Sequence, residues 1–313
     1  MELIKKFRNK DLEFKIKICP FKSKGVLSRI LNIAWAFFNQ GDVNHITGDV
    51  NFISLFLNKK KTINTIHDHQ SLNRLIGIKR LIYYFFWVIV PSKKSIYLIA
   101  NSQKTKKEIL KFTNIDKKKI VVTGICIHNN YKKKFKKFNK QKSKILIIGT
   151  RENKNIRNIL ISLIGINCEL IVIGNLDKEN LFILKKYKIN YKNYVALGNK
   201  EVFKKYVNSD LLLFPSLHEG FGMPILEAQT VGRPVITSNL EPMNDVGGNG
   251  ALYVNPRSTK SIRSGVIKVI RNKFFRDKLI KNGFKNIKRF NKNIILKKHL
   301  DCYYDILNNK ITN

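Results

Sequence analysis

Short apolar runs alternate with longer stretches of helical apolar spacing along almost the whole chain. In the first half, Glu13–Ile18, Thr62–Ile66, Ile96–Ala100 and Ile120–Thr123 read as strands. Between them the spacing predicts helices over Val26–Phe38 and Thr105–Phe112, and another inside Leu72–Val90. The second half is sharper, with predicted strands at Ile145–Ile148, Leu170–Ile173, Tyr194–Leu197, Leu211–Phe214, Val235–Thr237 and Leu252–Val254. Several are unbroken apolar runs, as in a parallel sheet covered on both faces. Helices fit between them at Ile156–Leu163, Glu179–Tyr187, Val202–Val207 and Pro224–Val231, and a basic helical pair follows, Ser261–Arg271 and Phe274–Phe290.

This β–α alternation implies right-handed crossovers, hence an α/β class with doubly wound parallel sheets. The seam lies at Asn129–Lys144, where YKKKFKKFNKQKSK has eight lysines and neither Gly nor Pro. It reads as a charged connector with no assigned structure. The expected domains are 1–140 and 141–295, with 296–313 as a helix packing back toward the first domain. In open α/β sheets ligands bind beyond the carboxyl ends of the strands, so a cleft between the two sheets is the expected site.

Composition narrows the class. The chain has 313 residues, 43% of them hydrophobic, enough for a real core and too many for a disordered basic tail. Its four cysteines, Cys19, Cys126, Cys168 and Cys302, are far apart and form no CxxC pair, so they read as ordinary thiols of a reducing compartment. Met1–Lys10 is charged and unlike a signal peptide, and the longest apolar run, Leu81–Val90, is too short to span a bilayer. A buried core helix is the favoured reading of that run, and a cytoplasmic protein the expectation.

The formal charge of +39 is uneven: residues 1–140 carry +22, residues 151–250 only +2, and residues 251–313 carry +13. A Lys–Asn–Ile compositional bias accounts for the excess as well as a functional attraction to polyanions does. The polyanion is either nucleic acid or an anionic membrane surface.

The most informative stretch is Phe214–Ile236, FPSLHEGFGMPILEAQTVGRPVI. A strand ends at Phe214, a loop with Gly220 and Gly222 follows, and a helix opens at Pro224. A Gly-rich turn feeding a helix N-terminus offers backbone N–H groups and partial positive charge to a phosphate. Glu219 lies in the loop and Glu227 one turn into the helix.

With HEGFGMPILEA followed by GRPVI, this segment resembles the EX7E motif of the GT4 family of retaining glycosyltransferases. These have the GT-B fold, two Rossmann-like domains facing a cleft. Lys144–Leu163, KILIIGTRENKNIRNILISL, is similar to the opening of the family's donor domain. Ala100–Glu108, ANSQKTKKE, resembles a late acceptor-domain segment, and Asp42–Val50 and Thr65–Asp68 resemble its middle strands.

The resemblance implies roles. Glu227 holds the ribose hydroxyls, Glu219 contacts the donor sugar, and the backbone of Gly220, Phe221, Gly222 and Met223 meets sugar and phosphate. Lys154 neutralises the diphosphate, with Arg151 as its partner in a clamp one residue shorter than the family's. His67 takes the acceptor-domain histidine position, with Asn101 and Ser102 near the cleft. The usual Gly-rich turn after the first acceptor-domain strand is absent, and Gly25 is the only glycine in residues 1–30.

In isolation, Lys154 reads as an exposed lysine, Glu227 as a solvated helix residue, and the glycines as turn residues. HDH at 67–69 invites a metal, but a strand end puts His67 and His69 on one face with no third ligand, so no metal is expected. No cofactor beyond a nucleotide-diphosphate sugar donor is implied. The acceptor is a hydroxyl of a glycan or lipid-linked saccharide in surface polysaccharide synthesis, and the basic charge suits peripheral attachment to the inner membrane face. Two rivals remain. A nucleic-acid-binding protein lacks any recognisable RNA- or DNA-binding motif here, and a nucleotide-sugar 2-epimerase on the same fold is not excluded by fold alone.

Overall fold

The computed structural model describes residues 12–308. The chain forms two compact units, Met1–Ile125 with Lys292–Asn313, and Cys126–Asn291. The expected first domain ran to residue 140, whereas residues 126–140 group with the second unit.

In the second unit the strands are β5 (Ser143–Ile148), β6 (Cys168–Ile173), β7 (Asn190–Tyr194), β8 (Leu211–Phe214), β9 (Val235–Ser238) and β10 (Ala251–Val254). They form one parallel sheet in the order β10-β9-β8-β5-β6-β7. The chain steps outward from β5 to β7, then returns to the other side of β5 and continues to β10. The winding therefore reverses between β5 and β8. All residues of β8 and β9 are buried, including Thr237 and Ser238 at the end of β9.

The core of this unit joins Ile145, Leu170 and Leu211 of the sheet to Ile159 and Leu160 of one helix and Ile262, Val266 and Val269 of another. Each such side chain contributes roughly 1.5–3 kcal/mol by leaving water. At Gly265 an added Cβ would lie 2.8 Å from Val254 Cγ1, so only glycine lets that helix approach β10 this closely.

The first unit holds a smaller parallel sheet, β1 (Asn44–Ile46), β2 (Thr62–Ile66), β3 (Tyr97–Ala100) and β4 (Ile120–Val122), in chain order. Among the described strands its winding does not reverse. The carboxyl-terminal helix Lys292–Leu307 belongs to this unit and packs Cys302, Tyr303 and Ile306 against Ile63 and Ile99. His45 is locked beneath it, Nδ1 2.6 Å from the Tyr303 hydroxyl and Nε2 2.8 Å from Thr65 Oγ1. Burial, chiefly, pushes its pKa down to about 3.

Several predicted elements differ. Glu13–Ile18 is not a strand: Phe14 alone of its apolar side chains packs, against Tyr303, while Ile16 and Ile18 stay exposed. The strand expected at Tyr194–Leu197 is instead Asn190–Tyr194, a polar edge strand held by its backbone ladder to β6. β1 is three residues long, two of them polar, and the apolar pattern did not single it out.

Leu81–Val90 is not a wholly buried helix. An α-helix over Gly77–Tyr83 continues as a π-helical stretch, Tyr84–Ile89, into Val90–Lys93. Trp87, Val88 and Val90 are buried, while Leu81 and Phe85 are exposed.

The lysine-rich connector is pinned to the second unit. Tyr131 packs edge-on against Phe203 and Tyr206, Lys134 N donates to Val231 O at 3.2 Å, and Lys136 pairs with the buried Asp210. The guanidinium of Arg276 lies 4.0 Å above the Phe138 ring. Tyr131 and Phe138 are the aromatic residues of the lysine run that pack, while Phe135 stays exposed.

Candidate functional site

The reversal of winding brings the loops after β5 and β8 side by side, the position where open parallel sheets bind ligands. These loops are joined by hydrogen bonds. Leu217 N donates to Asn153 O at 2.8 Å, and Asn153 Nδ2 donates to His218 O at 2.8 Å. Asn155, in the left-handed conformation at φ 63°, donates to Pro215 O at 3.1 Å and Pro256 O at 2.7 Å. Asn tolerates this backbone better than other non-glycine residues, and here its amide also ties three loops.

The same loops carry the two charged groups. Lys154 Nζ lies 2.6 Å from Glu219 Oε1, and both side chains are largely buried, at 18% and 13% exposure. The ammonium also sits 4.7 Å from the centre of the Phe214 ring. Gly149 makes this path possible: its φ is +81°, and an added Cβ would fall 2.9 Å from Lys154 Cε. Arg151 begins the short 3-10 turn that presents Lys154, accepting from Lys154 N at 2.8 Å; its own side chain is exposed.

After β8 the loop reaches Gly222, at φ 102°, and the helix Met223–Val231 starts. The first N–H groups of a helix have no partner within it, so this end can receive an anion. Phe221 is buried and packs edge-on against Phe290, 5.7 Å between centroids. Its side chain anchors the loop ahead of the helix.

Glu227 is one turn further on, half-buried, with Oε2 accepting from the Tyr206 hydroxyl at 2.6 Å. Burial raises its pKa, while hydrogen bonds from Tyr206 and Tyr131 act the other way by favouring the carboxylate. The two tyrosines, Asn153 and Asn155 were not anticipated. Asn155, just ahead of a helix, was the clearest available signal among them.

In the first unit, β2 ends at Ile66 and His67 follows at its carboxyl end. His67 is exposed, with Nε2 3.0 Å from Thr47 O. Its own carbonyl accepts from Thr105 Oγ1 at 3.1 Å, which also donates toward Asn101 Oδ1 at 2.8 Å. Ser102 caps the helix Gln103–Phe112 through Thr105 N. His67, Asn101 and Ser102 are thus gathered at one sheet edge.

His69 does not share a face with His67 as expected, because the strand has already ended. It is buried, its Nδ1 has no hydrogen-bond partner, and burial lowers its pKa. Among the described residues, no three His, Cys, Asp or Glu side chains converge into a metal-holding group.

With this geometry established, the family model for glycosyl transferases group 1 matches residues 128–286, about half the chain and nearly all of the second unit. The chain belongs to the glycosyl transferases group 1 family.

Relatives agree with that membership. The chain is 27% identical over 213 residues to the O-antigen chain mannosyltransferase RfbU of Salmonella typhimurium, covering 64% of this chain and 59% of that one. The similarity thus spans less than two thirds of that relative's length. A 24% identity over 315 residues, 82% of this chain and 80% of the relative, links it to an Escherichia coli UDP-Gal:alpha-D-GlcNAc-diphosphoundecaprenol alpha-1,3-galactosyltransferase. In three dimensions it resembles the sucrose-phosphate synthase of Thermosynechococcus elongatus, with a TM-score of 0.73 at 14% identity over 90% of this chain and 78% of the other. The fold is that of two Rossmann-like α/β units, the GT-B class.

Proposed function

We propose that this group 1 glycosyltransferase moves a sugar from a nucleotide-diphosphate sugar to a hydroxyl of a saccharide acceptor, with retention at the anomeric carbon. One observation carries this reading: the switch point of the second sheet holds Lys154 on Glu219 beside a glycine-led helix N-terminus whose next turn bears Glu227. Lys154 and the helix end stabilise the departing diphosphate as charge develops on it. Glu227 accepts the ribose hydroxyls, and Glu219 accepts from the donor sugar. Because these cationic and dipolar groups come from the chain itself, leaving-group stabilisation needs no metal. His67, with Asn101 and Ser102, serves the acceptor side near the reacting sugar.

The named activities of the relatives, an O-antigen chain mannosyltransferase and a diphosphoundecaprenol galactosyltransferase, support a lipid-linked saccharide acceptor in surface polysaccharide synthesis, and the basic charge of the chain suits attachment at the inner face of the cell membrane. No described helix is long and apolar enough to cross a membrane, so attachment would be peripheral.

The test is calorimetric titration of the purified protein with UDP-, GDP- and ADP-sugars, followed by transfer assays with the donor that binds, with and without EDTA. One donor class is expected to bind, and turnover is expected to persist in EDTA. Release of an epimerised nucleotide sugar without acceptor would replace transfer by epimerisation. Loss of turnover in EDTA, restored by Mg²⁺, would overturn the metal-free mechanism.

A further inference from the structure

Among the described residues, most exposed large apolar side chains fall between Ile16 and Phe85, in the first unit. The helical segment Gly77–Lys93 explains why. Its inner side is complete: Trp87 packs with Ile33 and Ala36 of the helix Val26–Phe38 in one core, and the Arg29 guanidinium lies 5.0 Å above the Trp87 ring. Its outer side nevertheless carries Ile78 (67% exposed), Leu81 (63%), Ile82 (44%) and Phe85 (49%) next to exposed Lys79 and Arg80. The neighbouring helix repeats the pattern, with Val26, Leu27 and Ile30 exposed behind Lys22 and Lys24.

The charge around these side chains identifies what covers them. Residues 14–41 and 69–107 contain no Asp or Glu, so every formal charge on either segment is positive. A second copy of a +39 chain would bring like charge to the same face. An apolar face interleaved with Lys and Arg alone matches an anionic lipid surface, with the apolar side chains entering the acyl boundary and the cations at the headgroups.

We propose that the outer face of Gly77–Phe85, with the exposed side of Val26–Ile30, docks this protein onto an anionic membrane. The segment lies on the membrane and does not span it. This surface rests on the peripheral attachment proposed above and gives it a location; it uses none of the donor site's residues, so vesicle binding and sugar transfer can fail separately.

The experiment is flotation of the full chain with vesicles of equal parts phosphatidylglycerol and phosphatidylcholine, against phosphatidylcholine alone. The wild type is expected to float with the mixed vesicles, weakly with phosphatidylcholine alone, and less as salt is raised. A variant with Ile78→Ser, Leu81→Ser, Ile82→Ser and Phe85→Ser is expected to lose at least about tenfold in vesicle partition, with its circular dichroism spectrum unchanged. A second variant, Lys79→Glu with Arg80→Glu, is expected to lose the preference for the anionic vesicles. Partition by both variants equal to wild type would overturn the proposal. So would a wild-type dimer that the serine variant dissociates while vesicle binding persists, which would make the face a self-interface.

Discussion

The two sheets end differently at their carboxyl edges. In the second unit, the edge is a closed network: three loops bound by Asn153 and Asn155, an ion pair at 2.6 Å, and a carboxylate clasped by two tyrosines. In the first unit, the edge is looser, with His67 exposed on a single backbone carbonyl and its neighbours engaged in capping a helix. Rigid placement pays for itself where charge must be stabilised during reaction, since preorganised groups need not reorient. On the proposed reading, a surface that receives a large acceptor has less need of it, and the second unit's edge serves as a fixed electrostatic device while the first unit's serves as a platform.

The largest effect should separate the two edges. Lys154→Ala and Glu227→Ala are each expected to lower transfer about a hundred- to a thousandfold, with the fold retained by circular dichroism. His67→Ala should slow turnover while leaving nucleotide affinity at the wild-type value by calorimetry. Wild-type turnover by either purified donor-site variant would sink the assignment.

Acid should then weaken the first unit before the second. His45 is held neutral, its pKa pushed down to about 3, so the unfolded chain takes up a proton that the folded one refuses. Stability from this group is complete above the ordinary histidine range and falls as pH drops from there toward about 3. Its full loss is of order 5 kcal/mol, and His45→Gln should flatten the acid limb of a thermal unfolding series. An unchanged limb would remove His45 from the account.

Gly149 and Gly25 offer a smaller contrast. Both have positive φ, but Gly25 has open space around it, whereas a Cβ at Gly149 would meet the Lys154 stem at 2.9 Å. Gly25→Ala should cost about 1 kcal/mol for the backbone alone, and Gly149→Ala about 1–3 kcal/mol, with weaker nucleotide binding as Lys154 is displaced. Equal melting temperatures for the two variants would contradict this packing.

The smallest effect is a shift in pH dependence. Removing the Tyr206 hydroxyl takes away a hydrogen bond that favours the Glu227 carboxylate, whose pKa burial already raises. Tyr206→Phe should therefore move the acid limb of nucleotide binding to higher pH. A limb that moves to lower pH, or stays in place, would show that Glu227 does not bind as the carboxylate.

The second unit was far more legible in the sequence than the first, and the reason is physical. Leu211–Phe214 and Val235–Thr237 are buried on both faces, so their composition announces them. Strand, glycine loop and helix follow one another there in so few residues that Glu219, Gly222 and Glu227 could be placed without a structure. Two short strands were less legible because backbone pairing, with little apolar burial, holds them: β1 shows only through the resemblance of Asp42–Val50 to a family strand, and β7 lies ahead of the expected Tyr194–Leu197. The partners that position the site escaped for another reason. Tyr131 lies 96 residues before Glu227 and Tyr206 lies 21 before it, and only the folded sheet makes them neighbours.

The ion pair between Lys154 and Glu219 has one more consequence, for discrimination between ligands. Each charge has its partner in the other, so on the proposed reading a donor must replace both halves of the pair. A bare phosphate would satisfy the lysine and strand the carboxylate; a free sugar would satisfy the carboxylate and strand the lysine. Leaving a largely buried charge unpaired is costly. On the proposed reading, a molecule that carries its phosphates and its sugar together replaces both partners at once, and the pair thereby favours the whole donor over either half.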